Sequence, residues 1–334
     1  MSLPALHELR RRFPEASISV LAMPGIAGLY ARESWANEVI PLRGARGPRD
    51  LQTKWALARE LAARRFDAAI LFTNSFESAA LLRASAIPVR IGYRRDGRGL
   101  LLTRPIPPPA RGEIPRHEAN YYFELLRRAG LSDAPLPGDA VVIRLEGIAA
   151  ARTRGEERLA QARMAGSVVG ISPGAAYGTA KRWLPERFAD AALQLARPLG
   201  AQVAVFGTGD ERSLCESVAG MIAAQGGSAM NFAGQTSLAD YIDMTAACRA
   251  FLTNDSGSMH IASALGVPTV AIFGATDHVG TGPTGPLARV VRHAVDCTPH
   301  PHPCLLRECP IDHRCMKAVS ADEVARTALD LLKQ

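Results

Sequence analysis

Apolar positions follow two rhythms along the chain. Short, nearly continuous apolar runs occur at Ile18–Ala22, Ala68–Phe72, Val89–Gly92, Ser167–Ile171, Gln202–Phe206, Ala250–Thr253 and Thr269–Phe273. Their length and β-branched content read as buried strands. Between them lie longer stretches with apolar residues every three or four positions. These are Leu3–Arg12, Leu51–Arg65, residues 117–129, Ile148–Met164, Glu186–Leu199, Leu238–Cys248, Met259–Leu265 and Ala321–Lys333, and they read as amphipathic helices. Strands alternating with helices predict βα units around parallel sheets. The proline- and arginine-rich stretch Thr103–Pro115 reads as a loop, and Pro135–Gly138 opens a linker.

The rhythm restarts after the linker, so the chain divides into two α/β halves, expected at residues 1–160 and 161–334. A length of 334 residues agrees with two domains, and 47% hydrophobic with 21% charged residues is a globular composition. No apolar run is long enough to span a membrane. The opening residues lack the apolar core of a signal peptide, which makes the cytoplasm the expected compartment. The 39 lysines and arginines outnumber the 32 aspartates and glutamates, a net +7. Such a balance suits an acidic partner, although the cations form no long basic run. A domain of this class usually opens on a strand, with chemistry in the first strand–helix loop. This chain opens on a helix, so its first half is expected to lack that strand.

Two loops carry the candidate chemistry. After the strand ending near Thr253 comes Asn254-Asp255-Ser256-Gly257-Ser258-Met259-His260. Ser256 reads as a helix cap whose hydroxyl accepts from a first-turn N–H. The amino end of that helix attracts an anion, and His260 lies one turn further on. The alternative is a capped turn with no ligand. The second loop runs Ser172-Pro173-Gly174-Ala175-Ala176-Tyr177-Gly178-Thr179-Ala180-Lys181-Arg182-Trp183. Gly174 and Gly178 permit close backbone approach, and Lys181 can reach a phosphate. The bland alternative is a solvent-facing Lys181 beside a buried Trp183. The loop is not a P-loop, because Lys181 does not directly follow a glycine. Gly207-Thr208-Gly209 begins a dinucleotide fingerprint, but Arg212 stands where its third glycine belongs, so a nicotinamide or flavin is not supported.

Cys215 and Cys248 are isolated and read as core. Cys297, Cys304, Cys309 and Cys315 crowd one stretch as C-x6-C-x4-C-x5-C, with His300, His302 and His313 among them. This set could hold a metal, or it could be a reduced loop, since no CxxC pair is present.

Taken in order, with Gly234-Gln235-Thr236-Ser237-Leu238 between them, the two loops resemble those of the lipopolysaccharide heptosyltransferases of glycosyltransferase family 9. In the first half, Asn74–Ala79 and Arg90-Ile91-Gly92-Tyr93 are similar as well, and Ser2–Leu6 is similar to the family's first helix. The resemblance implies a GT-B fold, with two Rossmann-like domains facing a cleft. It implies an ADP-heptose site on the second domain and an acceptor site on the first for the lipopolysaccharide inner core, a phosphorylated glycolipid. The implied reaction is heptosyl transfer with inversion and without an essential metal or cofactor. By position, Lys181 would neutralise the diphosphate. Gly174, Asp255, Ser256, Gly257 and His260 would hold diphosphate and sugar, with Thr236 and Glu211 near the nucleoside. The implied location is the cytoplasmic face of the inner membrane, in peripheral association, with no nucleic acid as partner.

The family's proposed general base is an aspartate just before the helix similar to residues 2–12. In this numbering it would precede Met1, so no residue takes that role by motif, and slow catalysis is expected. Two further readings stay open on the residues: a catalytically impaired nucleotide-sugar-binding homologue, and another GT-B enzyme such as a nucleotide-sugar epimerase.

Overall fold

The computed structural model describes residues 1–42, 48–139, 141–298 and 303–334. It separates into two compact units, Met1–Val141 and Val142–Gln334.

The first unit runs α1 (Leu3–Arg12), β1 (Ser19–Ala22), α2 (Pro24–Tyr30), β2 (Glu38–Pro41), α3 (Pro48–Ala63), β3 (Ala68–Leu71), α4 (Phe76–Ala84), β4 (Val89–Tyr93), β5 (Arg104–Ile106) and α5 (Glu118–Arg128). All its strand pairs are parallel, but they form two separate sheets, β1-β2 and β3-β4-β5. Strand β5 lies inside the stretch expected to be a loop. Its Pro105 is tolerated because β5 is an edge with a single partner, β4. Buried arginines knit this unit through backbone carbonyls. Arg98, fully buried, donates to the carbonyls of Tyr93 (2.9 Å) and Thr73 and to Asn74 Oδ1 (3.1 Å). It thereby joins the two segments that stood out in this half, Asn74–Ala79 and Arg90–Tyr93.

The second unit runs α6 (Ile148–Gln161), β6 (Val168–Ser172), α7 (Pro185–Leu199), β7 (Gln202–Val205), α8 (Arg212–Ala224), β8 (Ala229–Asn231), α9 (Leu238–Ala246), β9 (Ala250–Asn254), α10 (Gly257–Ala264), β10 (Thr269–Ile272), α11 (His278–Thr281), β11 (Ala288–Val291), α12 (Arg314–Ala318) and α13 (Ala321–Leu331). Its six strands form one parallel sheet in the order β11-β10-β9-β6-β7-β8. Counted within the unit this is the Rossmann order, reversing direction between β6 and β9. Every residue of β6 and β9 is buried, as a central strand covered on both faces requires.

Helix α6 packs on α9 and so belongs to the second unit, although it precedes residue 161. A side chain at Gly155 would overlap the backbone carbonyl of Asp243, so the two helices cross in near backbone contact. Arg154 clamps the buried Asp243 carboxylate through two bonds of 2.9 and 3.0 Å. No helix among the described residues is long and apolar enough to cross a membrane.

Candidate functional site

The carboxyl ends of β6, β7, β9 and β10 collect the polar residues of the second unit. In a parallel sheet this edge borders the crevice at the topological switch point, here between β6 and β9. Ser172 ends β6, and its hydroxyl lies 3.1 Å from that of Ser258 on α10, across the switch.

Asn254 is the hub. It ends β9 and is fully buried. Its amide nitrogen donates to the carbonyls of Pro173 (2.8 Å) and Gly174 (3.2 Å), and its oxygen accepts from the Trp183 backbone N–H (2.9 Å). One side chain therefore fastens both ends of the Ser172–Trp183 loop. Trp183 is buried as expected, and its indole N–H donates to the Val319 carbonyl at 3.2 Å.

The loop delivers Lys181 to Asp255. Lys181 Nζ donates to Asp255 Oδ2 at 2.6 Å, and Thr276 Oγ1 donates to the same oxygen at 2.6 Å. Lys181 is only 14% exposed, which overturns the solvent-facing alternative. Its ammonium also sits 4.7 Å from the centre of the Tyr177 ring. An ammonium has three donors and Asp255 engages one, so the cation keeps capacity for an anionic ligand.

Ser256 departs from expectation. It occupies the position before α10, but its side chain makes no capping bond and lies 3.2 Å from Thr253 Oγ1 instead. The extended backbone of Ser256 (φ −149°) turns the hydroxyl back toward β9. The first-turn N–H groups of α10 thus find no acceptor in its hydroxyl, and they begin at the exposed Gly257. His260 is half-buried one turn into α10.

Glu211 stands beside Gly174, so close that a Cβ there would overlap its carboxylate. That carboxylate accepts from the Thr208 N–H (2.9 Å) and hydroxyl (3.1 Å), closing a capping box after β7. The Gly207–Gly209 segment is thus a structural turn. Thr236 is half-buried in the connection before α9. That connection reaches the same turn through the Gly234 N–H, which donates to the Gly207 carbonyl at 3.0 Å.

The loop's outer side is braced by residues 305–307. Tyr177 donates to the Leu305 carbonyl (2.9 Å), the Ala180 N–H donates to the Arg307 carbonyl (3.0 Å), and the Arg307 guanidinium stacks 5.4 Å from the Tyr177 ring centre. At Gly178 a Cβ would overlap the Arg307 carbonyl.

Sequence reading gave Asn254 no role and passed over Thr276 and Arg307. Thr276 follows the carboxyl end of β10 within a small polar turn, a signal that strand order alone could have supplied. Arg307 shows nothing until the loops meet. Cys215 and Cys248 are core thiols, and burial pushes both up to about 12. Cys297 and Cys315 are buried, and Cys304 and Cys309 half-buried. His300 and His302 lie outside the described residues.

The chain matches the profile described as glycosyltransferase family 9 (heptosyltransferase) over residues 54–312. It is 33% identical to lipopolysaccharide heptosyltransferase 2 of Salmonella typhimurium over 303 residues, covering 87% of this chain and 84% of that protein. Identity to lipopolysaccharide heptosyltransferase 2 of Escherichia coli is also 33%, with the same coverage. Among solved structures, E. coli ADP-heptose lps heptosyltransferase II superposes with a TM-score of 0.82 at 27% identity, covering 100% of this chain and 94% of that one.

Proposed function

The chain belongs to glycosyltransferase family 9, and from that membership we propose that it transfers a heptose from ADP-heptose to the lipopolysaccharide inner core, with inversion at the anomeric carbon. It is a glycosyltransferase, and its second unit is the donor side. One observation carries the reading: Lys181 and Asp255, from two loops at the switch point, meet at 2.6 Å beside the amino end of α10.

That arrangement suits a leaving nucleoside diphosphate. In an inverting transfer the acceptor oxygen bonds to the anomeric carbon from one face while the bond to the β-phosphate oxygen breaks on the other. The acceptor proton passes to a base, and negative charge grows on the departing ADP. Lys181 and the first-turn N–H groups of α10 are donors fixed before that charge appears, the arrangement that lowers such a barrier most. Glu211, beside the close-packed Gly174, and Thr236 border the same strand ends and suit the nucleoside and its ribose. The first unit is then the acceptor side, with its surplus of arginine matching a phosphorylated glycolipid at a membrane surface.

The test is direct. The purified chain is incubated with ADP-heptose and a heptosylated core acceptor, and the products are weighed by mass spectrometry. One added heptose with α/β inversion by NMR is expected. ADP binding without any transfer would instead favour a nucleotide-sugar-binding homologue, and isomerised free ADP-sugar would favour an epimerase.

A further inference from the structure

Charge and exposed apolar surface are divided unevenly between the units. The first unit, Met1–Val141, holds 21 lysines and arginines against 14 aspartates and glutamates, and the second holds 18 of each. The whole surplus of +7 therefore belongs to the first unit. That unit also leaves four large apolar side chains in solvent: Leu51 (75% exposed), Trp55 (61%), Phe76 (55%) and Leu100 (96%). Helix α3 already packs Leu57, Ala58 and Leu61 with Ile40 and Leu81 in a core cluster, while Leu51 and Trp55 stand one turn apart on its exposed side. The four apolar residues lie on three segments tied in series. Lys54 of α3 pairs at 2.6 Å with Glu77 in the first turn of α4, next to Phe76. Arg98 opens the helical turn Arg98–Leu101 that carries Leu100, and it donates to Asn74 Oδ1, just before α4, at 3.1 Å. Cations flank this surface. Arg59 is exposed one turn beyond Trp55. Exposed Arg94 and Arg95, together with Leu100 and Asp96, border a shallow cavity of about 330 Å³.

We propose that the first unit docks on an anionic phospholipid bilayer through Leu51, Trp55, Phe76 and Leu100, with Arg59, Arg94 and Arg95 meeting the phosphodiester headgroups. Aromatic and aliphatic side chains that enter the headgroup boundary with arginines beside them are the chemistry of interfacial binding. Each cation near an anionic surface adds to the attraction. A second copy of the chain is disfavoured as the occupant, because a self-paired interface would set this unit's surplus of positive charge against itself. The proposal deepens the acceptor-side reading and rests on it for its purpose, which is to bring the unit to an acceptor carried by lipid. Binding to the bilayer does not itself require heptose transfer.

The tryptophans supply the test. Trp35 and Trp183 are buried, so of the three only Trp55 reports from the surface. The full chain, without nucleotide or acceptor, is mixed with vesicles of phosphatidylcholine alone or of phosphatidylcholine with phosphatidylglycerol. On the anionic vesicles Trp55 emission should move to the blue and be quenched by brominated acyl chains. Cosedimentation should show binding at least about tenfold tighter to the anionic vesicles than to the neutral ones, and weaker at high salt. Leu51→Ser with Leu100→Ser keeps the reporter and should weaken that binding more than about tenfold, with transfer to a soluble, delipidated heptosylated core unchanged. Unquenched Trp55 in the wild-type chain, a reading that needs no variant to fold, would overturn the surface. So would equal affinity for the two kinds of vesicle, full affinity in the double variant, or a dimer in sedimentation that the double variant dissolves. Loss of transfer to the soluble core in the double variant would assign the two leucines to the acceptor site and also overturn it. A chain that binds anionic vesicles but transfers no heptose would count against the transfer reading and leave the surface standing. Transfer to the soluble core without vesicle binding would do the reverse.

Discussion

The two units solve the same problem by different means. In the second, β6 is paired on both sides and entirely buried, and the apolar residues around it merge into one large core from Val169 to Leu331. In the first, β1 pairs only with β2 and β3 only with β4 among the described residues, both strands are largely half-exposed, and the buried apolar residues fall into several small clusters. There the ties come from arginines. Arg10 donates to the carbonyls of Trp35, Pro14 and Ala16, Arg90 to Leu101, and Arg98 to Tyr93. A sheet holds the ends of its strands in fixed register, so it can position reacting groups closely. Side-chain ties join loops without giving that precision. The difference favours the strand ends of the second unit as the place for the proposed donor site.

The contrast can be tested, and the largest effect should come from the site itself. Asp255→Asn removes the carboxylate that holds Lys181 while leaving an oxygen for Thr276. Heptosyl transfer should fall roughly a hundredfold in kcat/KM, measured with saturating acceptor. A fall of less than about twofold would remove Asp255 from the donor machinery.

Asn254→Ala should act on stability as well as on binding. It leaves the Trp183 N–H and the carbonyls of Pro173 and Gly174 buried without their partner, a cost of about 2–3 kcal/mol. Urea unfolding of the second unit should shift accordingly, and ADP affinity should drop with it because the loop loses its fastening.

Arg98→Met should cost somewhat less, about 1–2 kcal/mol, and only in the first unit. ADP affinity should stay at the wild-type value. If it fell as far as in Asn254→Ala, the two units would not be separable in the way their cores suggest.

The smallest effect concerns acid. The Arg11 guanidinium holds the Glu8 carboxyl below its ordinary value of 4.5, and the Ser132 hydroxyl adds to this. Because the folded value is depressed, the stabilisation is complete above the ordinary value and disappears as pH falls through the folded one. The protection of α1 amides, corrected for their intrinsic exchange rate, should therefore fall in acid in the wild type, while Glu8→Gln should flatten that pH dependence.

Much of this was legible in the sequence. The seven apolar runs each became a strand, and each helix expected from the apolar spacing appeared within a few residues of its bounds. Strands β2, β5, β8 and β11 were not legible, because short edge strands carry too few apolar residues to set a rhythm. Helix α8 was missed for another reason: its start is a capping box after Gly207, which reads locally as a turn. The positive charge was legible only as a total. Arginine 98 spends its charge on carbonyls inside the fold, which no count of cations reveals. In the site, Lys181 and Asp255 could be named from their loops, but their contact could not, since it joins residues 74 positions apart. Asn254 was hidden for the same reason: its role exists only once parallel strands bring separate loops to one edge.

Calorimetric titration of ADP-heptose into the wild-type chain and into Lys181→Ala shows whether Lys181 holds the diphosphate in the proposed donor site. The substitution should weaken binding by roughly tenfold to a hundredfold, the loss of one charge-assisted contact to phosphate. Equal affinity in the two proteins would contradict it.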